Sequence, residues 1–313
     1  MRALVYGDVH LDTGAVSHPY ERPDLDPAEW DAVVTLGDVV HRTREDFEDP
    51  ADGDPYERRG RALFEHLDAT GVPVLAVPGN HDPLDATRRL VSGLENVVVA
   101  HRRTVTADDV AAASDWDGVR FAAVGCEAFD QGPELDYLNV PSLDPRTDAD
   151  GAGTVHERAT AVGERIESAV GAYLSGTRTA DEAADSLDPA PGDRQTVVSQ
   201  LEALAARFRT WRDLLAGDGP TVALSHVSPF GVAFDSHHGD DDWSRYPTGS
   251  IALKMALYDA TPLAALSGHT HVRGTDVVQG AAQTTYAYNP GQNVVAVTLR
   301  PGTGQVRPEV PSL

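Results

Sequence analysis

The chain has 313 residues, 41% of them hydrophobic, with 49 acidic against 25 basic side chains and a formal net charge of −24. That length carries apolar material for one large domain or two small ones, and its dense apolar blocks exclude a disordered chain. The lone cysteine, Cys126, excludes a disulfide scaffold, and no run of about 18 apolar residues is present to span a membrane.

Met1 runs directly into a strand-like segment, so no signal peptide is expected and a cytoplasmic location is the default. Residues 3–6, 32–36 and 72–77 are short, continuous, β-rich runs that end at Gly7-Asp8, Gly37-Asp38 and Pro78-Gly79-Asn80-His81. Such runs suit strands buried on both faces. Between the second and third, residues 56–70 carry Leu63, Phe64 and Leu67 at helical spacing, and 96–100 and 119–124 continue the strand series. Residues 130–153 are rich in Pro, Asp and Gly and predict loop. Two amphipathic helices follow. One, near 157–174, aligns Val162, Ile166, Val170 and Tyr173; the other, near 194–215, aligns Val197, Leu201, Leu204, Phe208, Trp211 and Leu215. Residues 175–193 between them read as a polar linker. Both stripes need burial, so the helices are expected to pair and pack over the sheet. They form a helical insertion, about residues 130–218, within a single domain spanning 1–313. Strands resume at 221–224, ending at Ser225-His226, and at 263–266, ending at Gly268-His269, with a short helix at 251–258 between them. Residues 284–288 and 294–299 are expected to close as an antiparallel pair through the turn Asn289-Pro290-Gly291-Gln292.

In an open α/β sheet, ligands bind beyond the carboxyl ends of the strands. Those ends here deliver Asp8, His10, Asp38, Asn80, His81, His226, His269 and His271. With His81 set aside, the two carboxylates, one amide and four imidazoles exceed the four ligands of a tetrahedral zinc. They suit two five- or six-coordinate divalent ions that share a carboxylate. The mixed donors favour manganese, iron or zinc, with nickel also in range, over magnesium or calcium.

The ordered blocks Asp8-Val9-His10, Gly37-Asp38, Gly79-Asn80-His81-Asp82, His226 and Gly268-His269-Thr270-His271 resemble the calcineurin-like metallophosphoesterase superfamily. The resemblance covers most of the chain except the insertion. His226-Val227-Ser228-Pro229-Phe230-Gly231, Gly249-Ser250 and Asn289-Pro290-Gly291 are more similar to its prokaryotic phosphodiesterase-like branch than to the eukaryotic protein phosphatases. The resemblance implies a four-layer αββα sandwich: two facing mixed sheets flanked by helices. It also implies that Asp8, His10 and His271 bind one metal ion, that Asn80, His226 and His269 bind the other, and that Asp38 bridges them. A bridging hydroxide would attack phosphorus in line. His81 would stabilise the transition state or protonate the leaving oxygen, and Asp82 would orient His81. One departure is visible. The second block often continues Gly-Asp-x-x-Asp, and here it reads Gly37-Asp38-Val39-Val40-His41-Arg42. His41 reads as support for the bridge from behind, and Arg42 as a substrate-phosphate contact or a surface arginine. His237 and His238 read as part of a solvated polar loop, a rim over the site being the other reading. Cys126 reads as a small buried hydrophobe.

The expected activity is hydrolysis of a phosphate ester, leaning to a phosphodiester on a small or nucleotide-like substrate. The insertion, placed between Asn80 and His226, could cap the site. A DNA-repair-type nuclease is the first alternative; the short stretch after Leu299 leaves little room for a DNA-binding segment. A catalytically silent metal-binding regulatory protein is the second, and the intact Asp8, Asp38, Asn80 and His81 oppose it.

The acidity has a separate reading. Lys254 is the only lysine, so 24 of the 25 basic residues are arginine. A salt-rich cytoplasm favours such a surface, because hydrated carboxylates keep a protein soluble there, and a halophilic source is expected. At molar salt the Debye length is about 3 Å, so net charge there says little about partners. Two divalent ions would outweigh the two carboxylates at the site and draw in a phosphate ester locally, while long nucleic acids are less favoured.

Overall fold

A computed structural model of the chain describes residues 1–12, 21–41, 55–110, 115–129, 134, 140–146, 153–237 and 246–309. In chain order the strands are β1 (Arg2–Tyr6), β2 (Ala32–Thr35), β3 (Val74–Ala76), β4 (Val97–Val99), β5 (Arg103–Val105), β6 (Arg120–Val124), β7 (Thr221–Ser225), β8 (Ala264–Leu266), β9 (Gly274–Gln279), β10 (Thr284–Asn289), β11 (Val294–Arg300) and β12 (Gln305–Glu309). The helices are α1 (Pro55–Ala69), α2 (Leu84–Val91), α3 (Val155–Leu174), α4 (Ala180–Asp185), α5 (Arg194–Leu215) and α6 (Ile251–Ala260). The strands form two six-stranded mixed sheets, ordered β12-β11-β1-β2-β3-β4 and β5-β6-β7-β8-β10-β9.

Strand alternation assigns the layers. Side chains of period two point to opposite faces of a sheet. Ala3 and Val5 of β1 face Phe121, Val222, Leu224 and Leu266 of the second sheet in a shared central core. Leu4 and Tyr6, on the other side of β1, pack with Leu63, Phe64 and Leu67 of α1 and Leu90 of α2. The second sheet turns its own outer face to α3, α4, α5 and α6. The result is the αββα order, with the sheets in the middle.

The outer face of the second sheet carries a row of alanines. Ala122 pairs with Ala223, Ala223 with Ala265, and Ala265 with Ala287, so the row crosses β6, β7, β8 and β10 in register. All four belong to the cluster that contains Leu201, Leu204 and Phe208 of α5 and Leu253 and Ala256 of α6. A flat floor of methyl groups lets large helical side chains seat closely at interior packing density.

Two expectations need correction. β10 and β11 do not pair. β10 lies between β8 and β9, and β11 between β1 and β12, so the turn crosses from one sheet to the other. Turn residues announce a reversal of the chain without fixing which sheet receives the next strand. The linker 175–193 also contains helix α4, which begins at a capping box. The Thr179 hydroxyl accepts from the Glu182 amide at 3.2 Å, and the Glu182 carboxylate accepts from the Thr179 amide at 2.8 Å. Its Ala183 and Ala184 are buried among α3 and α5. The first part of the 130–218 insertion, where a cap over the site would begin, lies mostly outside the described residues. Its helices form the outer layer.

Replacing Ala223 by leucine should destabilise the protein by about 1–3 kcal/mol through overpacking against α5 and α6. Tyr258→Ala, at an exposed position, should stay within about 0.5 kcal/mol. Urea unfolding followed by circular dichroism measures both.

Candidate metal centre

β1, β2 and β3 run parallel to one another, as do β7 and β8. Their carboxyl ends bring Asp8 and His10, Asp38, Asn80 to Asp82, His226, and His269 with His271 to one edge of the sandwich. The loops meet in backbone contact. A Cβ on Gly79 would lie 2.1 Å from the Asp38 nitrogen, and one on Gly37 would lie 2.4 Å from the Gly79 Cα. No side chain fits at either position. His10, Asp38, His269 and His271 all adopt left-handed backbone, with φ of 45°, 51°, 71° and 58°. Each costs on the order of 1–3 kcal/mol for a non-glycine residue, a form of strain that gathers at functional sites.

Convergence of the donor atoms is tight. His10 Nε2 lies 2.8 Å from His271 Nε2 and 3.6 Å from Asp38 Oδ2. His226 Nε2 lies 2.8 Å from Asn80 Oδ1 and 3.4 Å from Asp38 Oδ2. His269 Nδ1 lies 3.1 Å from the same Asn80 oxygen. Among the described residues three groups of donors converge, His10–His41–His81, His10–Asp38–His271 and Asp38–His226–His269, and Asp38 is common to the last two. Asp8 is fully buried. Its Oδ1 accepts from the His269 amide at 2.8 Å, while its Oδ2 has no hydrogen-bond partner among the described residues. A buried carboxylate oxygen without a partner is costly unless a cation answers it. That orphaned oxygen and the facing ring nitrogens fit divalent metal ions.

The protonation states agree. Burial, with neighbouring imidazoles adding to it, pushes His10 down to about 3, His271 to about 4 and His269 well below the usual imidazole range. These three rings are neutral at pH 7, as metal ligands must be. His226 goes the other way. Burial depresses it, but Asp38, Asp8 and the Leu36 carbonyl together lift it to about 9. Its Nδ1–H donates to the Leu36 carbonyl oxygen at 2.8 Å, which leaves Nε2 aimed at Asn80 and Asp38. Burial pushes Asp8 up to about 7 against the pull of His226. For Asp38, burial is outweighed by His226, His10 and His81, which hold the carboxylate well below its usual range.

Asp82 clasps backbone amides of two loops. Its Oδ1 accepts from the backbone amides of Asp38 and Gly79, both at 2.9 Å, and its Oδ2 accepts from Val39 at 2.7 Å. The carboxylate ties the second and third loops together. His81 is anchored through its backbone, whose amide donates to Asp38 Oδ1 at 2.8 Å. Its ring lies 4.8 Å from that of His10, stacks at 5.3 Å on His41 and meets Phe129 edge-on at 5.3 Å. His41 Nδ1 is 3.1 Å from His10 Nδ1. Arg42 and His238 lie outside the described residues. His237 is not a freely solvated loop residue, because its half-buried ring sits against those of His269 and His271. Cys126 is buried, as expected. Sequence reasoning missed the Leu36 carbonyl, since a backbone acceptor leaves no mark on the residue pattern. It also missed Asn289 as a buckle: its buried amide donates to the Gly268 carbonyl at 2.8 Å and its oxygen accepts from the Gly291 amide at 2.7 Å. The Gly291 carbonyl in turn accepts from the Asp8 amide at 3.1 Å.

Two facing mixed sheets with a centre of this kind at one edge define a metal-dependent phosphoesterase fold. A family model described as calcineurin-like phosphoesterase matches residues 1–273, and the chain belongs to that family. It is accordingly a metal-dependent phosphoric ester hydrolase of a family that implies two divalent metal ions. One crystal structure aligns over 99% of this chain and 98% of its own, with a TM-score of 0.51 at 15% identity. A protein of Thermus thermophilus aligns over 99% of this chain and 98% of its own, with a TM-score of 0.45 at 14% identity. The phosphopantetheinyl hydrolase of Mycobacterium tuberculosis aligns over 92% of this chain and 89% of its own, with a TM-score of 0.45 at 17% identity. No curated protein sequence matches the chain.

The raised His226 makes a prediction for protein stripped of metal with a chelator. Its folded value of about 9 exceeds the ordinary imidazole value of 6.5. The stabilisation it gives is therefore complete below pH 6.5 and lost as pH rises through 9. The depressed His10, His269 and His271 change little above 6.5, where they are mostly neutral folded or unfolded, while Asp8 and Asp82, raised to about 7, add to the loss in the lower part of that range. The melting temperature of the metal-free protein should fall between pH 6.5 and 9, and His226→Gln should flatten that slope.

Proposed function

We propose that the protein hydrolyses a phosphodiester, on a small or nucleotide-like substrate, with two divalent ions of which manganese is the first choice. The observation that carries this reading is the sharing of Asp38 between the His10–Asp38–His271 and Asp38–His226–His269 groups. Asp8, His10 and His271 would hold one ion, Asn80, His226 and His269 the other, with Asp38 between them. When bound, such a pair generates a nucleophile from solvent at neutral pH and neutralises charge on the phosphoryl oxygens. The chain's own residues do the rest. Leu36 fixes the His226 ring, Asp82 fixes the loops of Asp38 and Gly79, and His81 stands beside His10 to give a proton to the leaving oxygen. The whole chain acts as one unit, with residues 130–218 as an insertion.

A cytoplasmic setting rich in salt fits the same protein. The acidic excess and the single lysine support it, and among the described residues no helix is long and apolar enough to cross a membrane. Exposed pairs such as Arg61–Glu65 and Arg194–Asp185 contribute little there, being screened.

Manganese-loaded protein should turn over bis(p-nitrophenyl) phosphate in molar KCl faster than p-nitrophenyl phosphate, with cyclic nucleotides and single-stranded DNA completing the comparison. Asp38→Asn should abolish turnover and lower the bound manganese, counted by mass spectrometry, from about two ions per chain to one or none; normal activity in that variant refutes the assignment. The melting temperature should be higher in molar KCl than in dilute buffer, and equal values would remove the argument for a high-salt origin.

A further inference from the structure

His237 belongs to neither of the ligand groups that share Asp38, yet its ring lies beside both. Its centroid is 5.3 Å from that of His269, at 69°, and 5.3 Å from that of His271, at 85°. These neighbours belong to different groups. His271 converges with His10 and Asp38, and His269 with Asp38 and His226. His237 therefore stands over the seam between the two ion positions, half-buried, with part of its ring facing solvent.

The loop that carries it is built to hold it there. Phe234 and Asp235, just ahead of it, are buried. The Phe234 carbonyl accepts from the Thr270 hydroxyl at 2.8 Å, and Thr270 sits between His269 and His271 in the chain. The Asp235 carbonyl accepts from the Thr248 amide at 2.7 Å, and its carboxylate accepts from the Gly231 amide at 2.6 Å. The segment that presents His237 is thus tied directly to the loop that presents the two ligand histidines.

The geometry points to His237 as a substrate-contacting residue, whose ring N–H donates a hydrogen bond to a phosphoryl oxygen of the bound ester. This rests on the two-ion reading above. An ester clamped by two ions has to place its phosphoryl group on the seam between them. A fixed donor there meets a charged oxygen, and charge-assisted bonds of that kind are strong. The same contact would hold inorganic phosphate, which presents the phosphoryl oxygens that the diester and its phosphomonoester product also carry.

The test uses His237→Ala and His237→Asn in the full chain, with three readouts. The first is bound manganese, the second is binding of inorganic phosphate to the loaded protein by calorimetry, and the third is kcat and KM on bis(p-nitrophenyl) phosphate. His237→Ala should keep its full metal content, bind phosphate about 10- to 100-fold more weakly and lose about 10²- to 10³-fold in kcat/KM. His237→Asn, which restores an N–H donor, should recover part of both losses. Unchanged phosphate binding and turnover in His237→Ala would overturn the assignment, and so would loss of an ion, which would make His237 a ligand. If the unsubstituted protein carries two ions per chain yet neither binds phosphate nor cleaves the ester, the phosphoesterase reading and the role of His237 fail together. If it carries two ions and is active while the alanine variant matches it, only His237 fails.

Discussion

A single buried carboxylate, that of Asp38, has to serve two groups of imidazoles at once. An ionised carboxylate is expensive to bury unless hydrogen bonds and positive charge surround it. Here Oδ1 takes the His81 amide and Oδ2 faces both His10 and His226. The Asp38 backbone is held in turn by Asp82, another buried carboxylate, through its amide. One acid defines the centre of the site and a second keeps the first in place. Their closeness carries an electrostatic penalty. Burial, then the charge of Asp38, drives Asp82 up to about 7, while the amides of Gly79 and Val39 oppose the shift. Cations at the centre would relieve this repulsion, so the same crowding that burdens the metal-free protein favours metal binding.

The backbone bends to meet this demand. Asp38 and three ligand histidines sit in left-handed conformations, and Gly37 and Gly79 allow their loops to touch where a methyl group would collide. Local strain of this kind persists only if the surrounding fold over-determines it. The central core between the sheets, the alanine floor beneath α5 and α6, and the Asn289 buckle supply that rigidity. The buckle joins sheets as well as loops: Asn289 ends β10 in the second sheet, the turn it opens leads into β11 in the first, and Gly291 of that turn holds Asp8.

The ligand set was legible because each member stands next to a strand end, and most beside a turn glycine, and because hard and borderline donors are rarely placed there without a reason. The strands of the central core were legible because each is apolar on both faces. The missing pieces left weaker marks. α4 is too short to show a stripe, although its Thr179–Glu182 capping box is a readable start signal. β5, β9 and β12 lie at or beside sheet edges, where half-exposed residues blur the alternation. The motif around Asp82 gave its position without its partners, since two of them are backbone amides of Asp38 and Val39 in another loop. His237 looked like a solvated residue because Gly239 and the acids that follow it favour solvent, whereas its ring packs on His269 and His271 from another part of the chain.

Neither sheet owns an ion position. The group His10–Asp38–His271 takes two residues from the ends of β1 and β2 in the first sheet and one from the end of β8 in the second. The group Asp38–His226–His269 takes one residue from the first sheet and two from the second. An ion held by either group would therefore tie the sheets together at the edge where their central core ends, and any slip between the sheets would pull these donors apart. Binding energy for the native arrangement becomes stability of the two-sheet packing by linkage, in proportion to the logarithm of free metal concentration. The reverse also holds. Residues of the central core such as Phe121, Trp116 and Leu266 set the spacing of the sheets, and through it the spacing of ligands they never touch. Packing in that core and affinity at the edge would thus be coupled through the spacing of the sheets.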